Sequence, residues 1–108
     1  MKILIKPHLA YWGSPFSWRG DIRFDNREDQ LRFFESYGRW IKALAGISQN
    51  ADFFAVGTEL QHMEPFEREW RSLIGEVRML TKAKLTYAAN WDRYEQVTFW
   101  DSLDFIGI

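Results

Sequence analysis

The chain has 108 residues, a net charge of −1 and no cysteine, with 27% charged and 18% aromatic residues. That length supports one small domain with a single core and falls short of a whole α/β barrel of roughly 250 residues. The balanced charge leaves no footprint for nucleic acid or an anionic membrane, and the missing cysteine excludes disulfides and thiolate chemistry.

In chain order, Ile3-Leu4-Ile5 is a short β-branched run stopped by Pro7, and it reads as a buried strand with His8 just beyond. The N-terminus is too short and too soon interrupted for a signal peptide. Residues Ala10 to Asp25 carry Gly13, Pro15 and Gly20 among aromatic and charged side chains. They form a loop of about 16 residues, and loops beyond roughly 12–15 residues are usually functional or disordered. The aromatic content argues for order.

A first helix follows, with Asp25 and Glu28 as a capping box. Its apolar stripe is Leu31, Phe34, Ile41, Leu44 and Ala45. Residues Asp52 to Thr58 form a second strand, nearly all apolar, and Glu59 stands at its end. Pro65 suits the first position of a second helix, which carries Phe66, Trp70, Leu73, Ile74, Val77 and Leu80 on one face. Leu85 to Ala89 is the third strand. Asn90-Trp91-Asp92 and a short helical piece from Tyr94 to Leu103 come next, then a fourth strand at Phe105 to Ile108. No apolar run approaches the ~20 residues of a membrane helix.

The order β-α-β-α-β-α-β implies an α/β fold with parallel strands joined by crossovers. Both ends open or close directly on a strand. The chain over residues 1–108 therefore reads as consecutive βα elements of a larger barrel, a partial (β/α)8 barrel in one domain. On its own, such a piece has open strand edges and uncovered apolar faces, and is expected to self-associate or to be marginally stable.

In this architecture the working residues follow each strand. Those positions are His8, Trp12, Thr58, Glu59, His62, Asn90, Trp91 and Asp92. Several have a structural reading beside the functional one: Asn90 as a turn cap, Asp92 as a helix N-cap, Trp12 and Trp18 as packing for the long loop. Two histidines without HExxH or a cysteine cluster do not make a metal site, and neither a phosphate loop nor a serine elbow is present. No cofactor is expected. What remains is carboxylate acid–base chemistry centred on Glu59. After Phe53-Phe54-Ala55-Val56 its surroundings are expected to be apolar, which would keep it protonated as a general acid. The chain offers no equally good second carboxylate, although glycoside hydrolysis uses two. Aromatics beside polar residues, at Tyr11-Trp12, Phe16-Ser17-Trp18 and Asn90-Trp91-Asp92, suit sugar rings or protein interfaces.

Five spaced segments carry a resemblance: Leu4-Ile5-Lys6-Pro7-His8, Trp18-Arg19-Gly20-Asp21-Ile22, Val56-Gly57-Thr58-Glu59-Leu60, Leu85 to Asp92, and Phe99 to Ile108. Together they resemble glycoside hydrolase family 113, barrel enzymes of the large retaining clan that includes β-mannanases. The resemblance implies roughly strands three to six of a (β/α)8 barrel. It implies an oligo- or polysaccharide substrate, with Glu59 as the acid/base closing the fourth strand and His8, Trp12, Asn90 and Trp91 lining sugar subsites. The family's nucleophile closes a seventh strand, which is absent from this sequence. The leading expectation is thus a piece of a retaining β-mannanase-like endo-glycosidase, inactive by itself. The alternatives are a non-catalytic carbohydrate-binding or interaction half-barrel, and a different barrel enzyme in which Glu59 abstracts a proton.

Overall fold

A computed structural model describes residues 1–108. Three parallel strands, β1 (Leu4–Ile5), β2 (Phe53–Thr58) and β3 (Lys84–Ala88), lie side by side in the order β1-β2-β3. Helix α1 (Arg27–Ile47) joins the first pair and α2 (Glu67–Arg78) the second. Each strand lies next to its predecessor, as in a singly wound barrel; a doubly wound sheet reverses its order at a switch point. No helix is long and apolar enough to cross a membrane.

The side chains of β2 and β3 alternate between two faces. Phe54, Val56, Leu85 and Tyr87 pack toward the helices, against Tyr37, Ile41 and Ala45 of α1 and Trp70, Leu73, Ile74 and Val77 of α2. Trp70 lies at the centre, fully buried. It stacks on Phe99 with ring centroids 5.4 Å apart and meets Phe34, Tyr37 and Tyr87 edge-on. Each fully buried aliphatic chain such as Ile41 or Ile74 contributes about 1.5–3 kcal/mol. Much of the aromatic content is therefore core.

Several elements differ from the sequence expectation. The first strand has only two residues, and it is not buried: Ile3 and Leu4 are exposed, because no strand lies on its outer side. Pro7, lacking an N–H, ends its ladder. The cap of α1 is Asn26, not Asp25. Its side chain accepts from the Asp29 amide at 2.9 Å and donates to the Asp29 carboxylate at 3.0 Å, one residue along from the expected box. The buried face of α1 is Tyr37, Gly38, Ile41 and Ala45, while Leu31 is exposed. Pro65 lies in the turn before α2, whose N-cap is Phe66. Leu80 falls beyond the end of α2, where 3₁₀-type bonds from Met79 and Leu80 tighten the last turn, and it is exposed.

The predicted helical piece after β3 is two 3₁₀ turns, Tyr94–Gln96 and Trp100–Ser102. Arg71 holds this segment through Asp101 and the Thr98 carbonyl. Arg78 holds it through Asp104 and the Ser102 carbonyl. Residues 105–108 run beside β3 but pair with it only in one parallel bridge, Ala88 with Gly107. The Phe105 carbonyl takes its bond from Thr86 Oγ1 instead of from a backbone amide, so the expected fourth strand does not form a regular ladder.

Candidate active site

The carboxyl end of β2 is irregular. Ala55 pairs with Thr86 and Thr58 with Ala88, so Val56 and Gly57 stand opposite the single residue Tyr87. Such a bulge bends its strand and re-aims the side chains after it. Two tyrosine hydroxyls attend to this segment. Tyr37 donates to the Val56 carbonyl at 2.7 Å, and the Tyr87 oxygen accepts from the Leu60 amide at 2.8 Å. Gly57 is required here because a Cβ would lie 2.8 Å from the Tyr87 ring and 2.9 Å from Trp70.

Glu59 follows the bulge with φ of 52°, the only non-glycine residue in the left-handed region. That conformation costs about 1–2 kcal/mol for an L-residue, and such strain clusters at functional sites. The Glu59 amide donates to the Ala88 carbonyl at 2.8 Å, which fastens it to β3. Its carboxylate is half-buried, with Oε2 3.4 Å from Arg19 Nη1. The apolar surroundings expected from the preceding strand are therefore not what the carboxylate meets. The apolar residues point into the core or across the sheet, while the turn delivers Glu59 to a guanidinium.

Arg19 belongs to a 3₁₀ turn, Arg19–Asp21, inside the long loop. Trp18 folds its ring over Gly20, where any Cβ would collide with it, so Trp18 packs the loop. The Thr58 hydroxyl is buried and donates to the Pro7 carbonyl at 3.0 Å, drawing the chain before His8 to the end of β2. His8 is exposed. Its imidazole pKa lies below the ordinary value, first through partial desolvation, then through the positive charges of Arg19 and Lys6, with Glu59 acting in the opposite direction. His8, Arg19 and Glu59 thus share one electrostatic neighbourhood.

The other sequence-derived positions are less engaged. Trp12 is 84% exposed and touches Tyr11 edge-on, and Trp91 is 77% exposed after β3. Asn90 opens a turn in which its carbonyl accepts from the Arg93 amide at 3.0 Å, and its side chain makes no hydrogen bond within the chain. His62 and Asp92 are exposed. Glu59 lines none of the four surface cavities; one of about 280 Å³ is walled by Gln61, Glu64 and Arg93 among others.

Three residues at this end escaped the sequence reading as site members. Arg19 lies in an irregular loop, where periodicity carries no information. Tyr87 sits in an apolar strand, and its one signal is a polar tip on a core-facing position. Glu64 is buried, and its carboxylate accepts from the Tyr87 hydroxyl. Burial raises its pKa above the ordinary 4.5, opposed by the Tyr87 hydrogen bond and by Arg93. Nothing in its local sequence marks a buried acid.

The sequence model of Glycoside Hydrolase Family 113 matches residues 1–108. Among solved structures, a GH113 β-mannanase from Alicyclobacillus acidocaldarius in complex with ManMIm is 32% identical, with a TM-score of 0.90. A complex structure of a GH113 β-1,4-mannanase is also 32% identical, with a TM-score of 0.88. A further GH113 β-1,4-mannanase structure gives 31% and 0.83. In each case 98% of this chain is covered but 36% of the other, so the chain spans about a third of the length of these relatives. No curated protein sequence matches.

Proposed function

Because the chain belongs to glycoside hydrolase family 113, we propose that it supplies part of the active-site rim of a retaining β-mannanase-like endo-glycosidase, with Glu59 as the general acid/base. The observation that carries this reading is the placement of Glu59. It stands at the carboxyl end of the middle strand, turned out by a bulge and a left-handed backbone, with its carboxylate beside Arg19. Carboxyl ends of barrel strands are where barrel enzymes keep their chemistry.

In the complete protein a second carboxylate, from chain outside these 108 residues, attacks the anomeric carbon while Glu59 gives its proton to the departing glycosidic oxygen. Water then loses a proton to Glu59 and releases the sugar from the second carboxylate. Glu59 becomes an anion in the first step. The Arg19 guanidinium at 3.4 Å stabilises that anion. His8, kept toward its neutral form, offers both a donor and an acceptor to a sugar hydroxyl. Asn90 offers its unengaged amide, and the open faces of Trp12 and Trp91 suit stacking on pyranose rings. The β-1,4-mannanases that the chain resembles support a β-1,4-mannan substrate class for this reading.

The test is Glu59→Gln in the complete protein. Turnover on β-1,4-linked manno-oligosaccharides should fall at least about 100-fold, with oligosaccharide binding by calorimetry retained. Unchanged turnover sinks the role. The exposed Trp12 and Trp91 also favour a second reading, a carbohydrate-binding half-barrel without hydrolysis. Sugar binding without turnover, abolished by Trp91→Ala, would establish it. The open edge of β1, with the exposed Ile106 and Ile108, supports self-association of the isolated chain, which sedimentation would read directly.

A further inference from the structure

We propose that Tyr87, with the buried carboxylate of Glu64 behind it, is a positioning residue for Glu59: it holds the backbone turn that aims the Glu59 side chain at the rim. The inference rests on the reading of Glu59 as acid/base.

A left-handed glutamate persists only where its surroundings over-determine it. Here the amides on both sides of the Glu59 carbonyl carbon are anchored to adjacent residues of one strand. The Glu59 amide donates to the Ala88 carbonyl, and the Leu60 amide donates to the Tyr87 hydroxyl oxygen. That hydroxyl has one hydrogen, and it goes to Glu64 Oε2. The oxygen's lone pairs are thereby left facing Leu60.

The ring itself has little freedom. Trp70, Phe99 and Trp100 surround it, and Gly57 lies against its edge with no side chain between them. The bond to Leu60 therefore comes from a fixed point in the core. Leu60 is 1% exposed, so its amide has no ready substitute in water. Tyr87→Phe would keep the ring and remove the acceptor. The Leu60 amide would then turn to find another partner, and the Glu59 side chain would turn with it. Glu64→Gln would keep a carbonyl oxygen for the Tyr87 hydroxyl and leave the arrangement standing.

The experiment compares kcat/KM of the full-length protein on two substrates. A manno-oligosaccharide has a leaving group that needs a proton. A dinitrophenyl β-mannobioside has one that departs without it. Tyr87→Phe is expected to lose about 10-fold or more on the oligosaccharide and to stay within about twofold on the aryl glycoside. Glu64→Gln, which keeps an acceptor for the Tyr87 hydroxyl, is expected to lose less than Tyr87→Phe on the oligosaccharide. Should Tyr87→Phe fail to fold, Glu64→Met keeps the ring and the Leu60 bond but unpins the hydroxyl. It is expected to show the same selectivity in weaker form. Equal losses on the two substrates make Tyr87 a stability residue only and overturn the inference. Glu59→Gln, measured alongside, separates the failures: if that variant shows no leaving-group selectivity, or the wild type hydrolyses neither substrate, the acid/base reading falls first and the positioning role with it.

Discussion

Arg19 Nη1 stands 3.4 Å from Glu59 Oε2 across 40 residues of sequence, joining the long loop after β1 to the turn after β2. The pair lies at the carboxyl end of the sheet, partly shielded from solvent, and His8 senses both charges.

A titration of His8 by NMR reads this neighbourhood. Arg19 lowers its pKa and Glu59 raises it. Arg19→Gln removes a cation that disfavours the imidazolium, so the His8 pKa should rise toward its ordinary value. Glu59→Gln removes the anion that favours it, so the pKa should fall further. Shifts of the same sign in both variants would mean that the three groups are not arranged as described.

Gly57→Ala tests the packing under the bulge. The added methyl would meet Tyr87 and Trp70, two buried rings wedged among other aromatics. Overpacking of this kind costs about 1–3 kcal/mol. Denaturant unfolding should show the midpoint falling accordingly.

Tyr37→Phe tests the other hydroxyl at the bulge. Tyr37 is buried, and burial holds its phenol protonated by raising its pKa. Its bond to the Val56 carbonyl, in the bulged stretch, is 2.7 Å long. The loss leaves a buried acceptor short of a partner, at about 1–3 kcal/mol. The stacking of Phe33 on this ring should survive, so near-ultraviolet circular dichroism should change little while stability drops.

Asp104 gives a pH-dependent test. Its carboxylate accepts from the Leu85 amide at 2.7 Å and from Arg78 at 3.0 Å, tying the start of β3 to the segment after Trp100–Ser102. Its pKa lies below the ordinary 3.8, first because of the Leu85 amide. A depressed folded-state pKa contributes stability above the unfolded value and loses it as pH falls through the folded value. Asp104→Asn should therefore lower stability near neutral pH, by an amount that solvent screening of this exposed carboxylate keeps small. The gap to the wild type should close in acid, below the folded pKa. Parallel stability curves down to low pH would show that the charge contributes nothing.

Glu64 gives the opposite sign. Its pKa is raised by burial, so the folded state favours the protonated acid. The associated stability is full below the ordinary value of 4.5 and declines as pH rises through the folded pKa. Glu64→Gln, which carries no charge, should gain stability relative to the wild type over that rise. Thermal unfolding from pH 4 to 8 would read the difference, and a constant offset would argue against a buried carboxylate there.

The sequence by itself determined the order of the first three strands and the two helices between them, the parallel fold class and the placement of Glu59 at a strand mouth. These follow from local signals. An apolar run such as Phe53 to Val56 must be buried, the spacing of Trp70, Leu73, Ile74 and Val77 puts them on one helix face, and a barrel exposes the residue after each strand. The five spaced segments added the family, because their residue types recur at matching intervals. Only the tertiary structure decided what surrounds Glu59. The bulge opposite Tyr87, the reach of Arg19 across the loop and the buried Glu64 join residues far apart in the chain. Each depends on satisfying buried polar groups in three dimensions, and no periodicity encodes that requirement. The same reason accounts for the two strands that came out short. Whether Leu4–Ile5 or the residues at Gly107 form a full ladder depends on the neighbouring backbone, and the sheet has none beyond them to complete it.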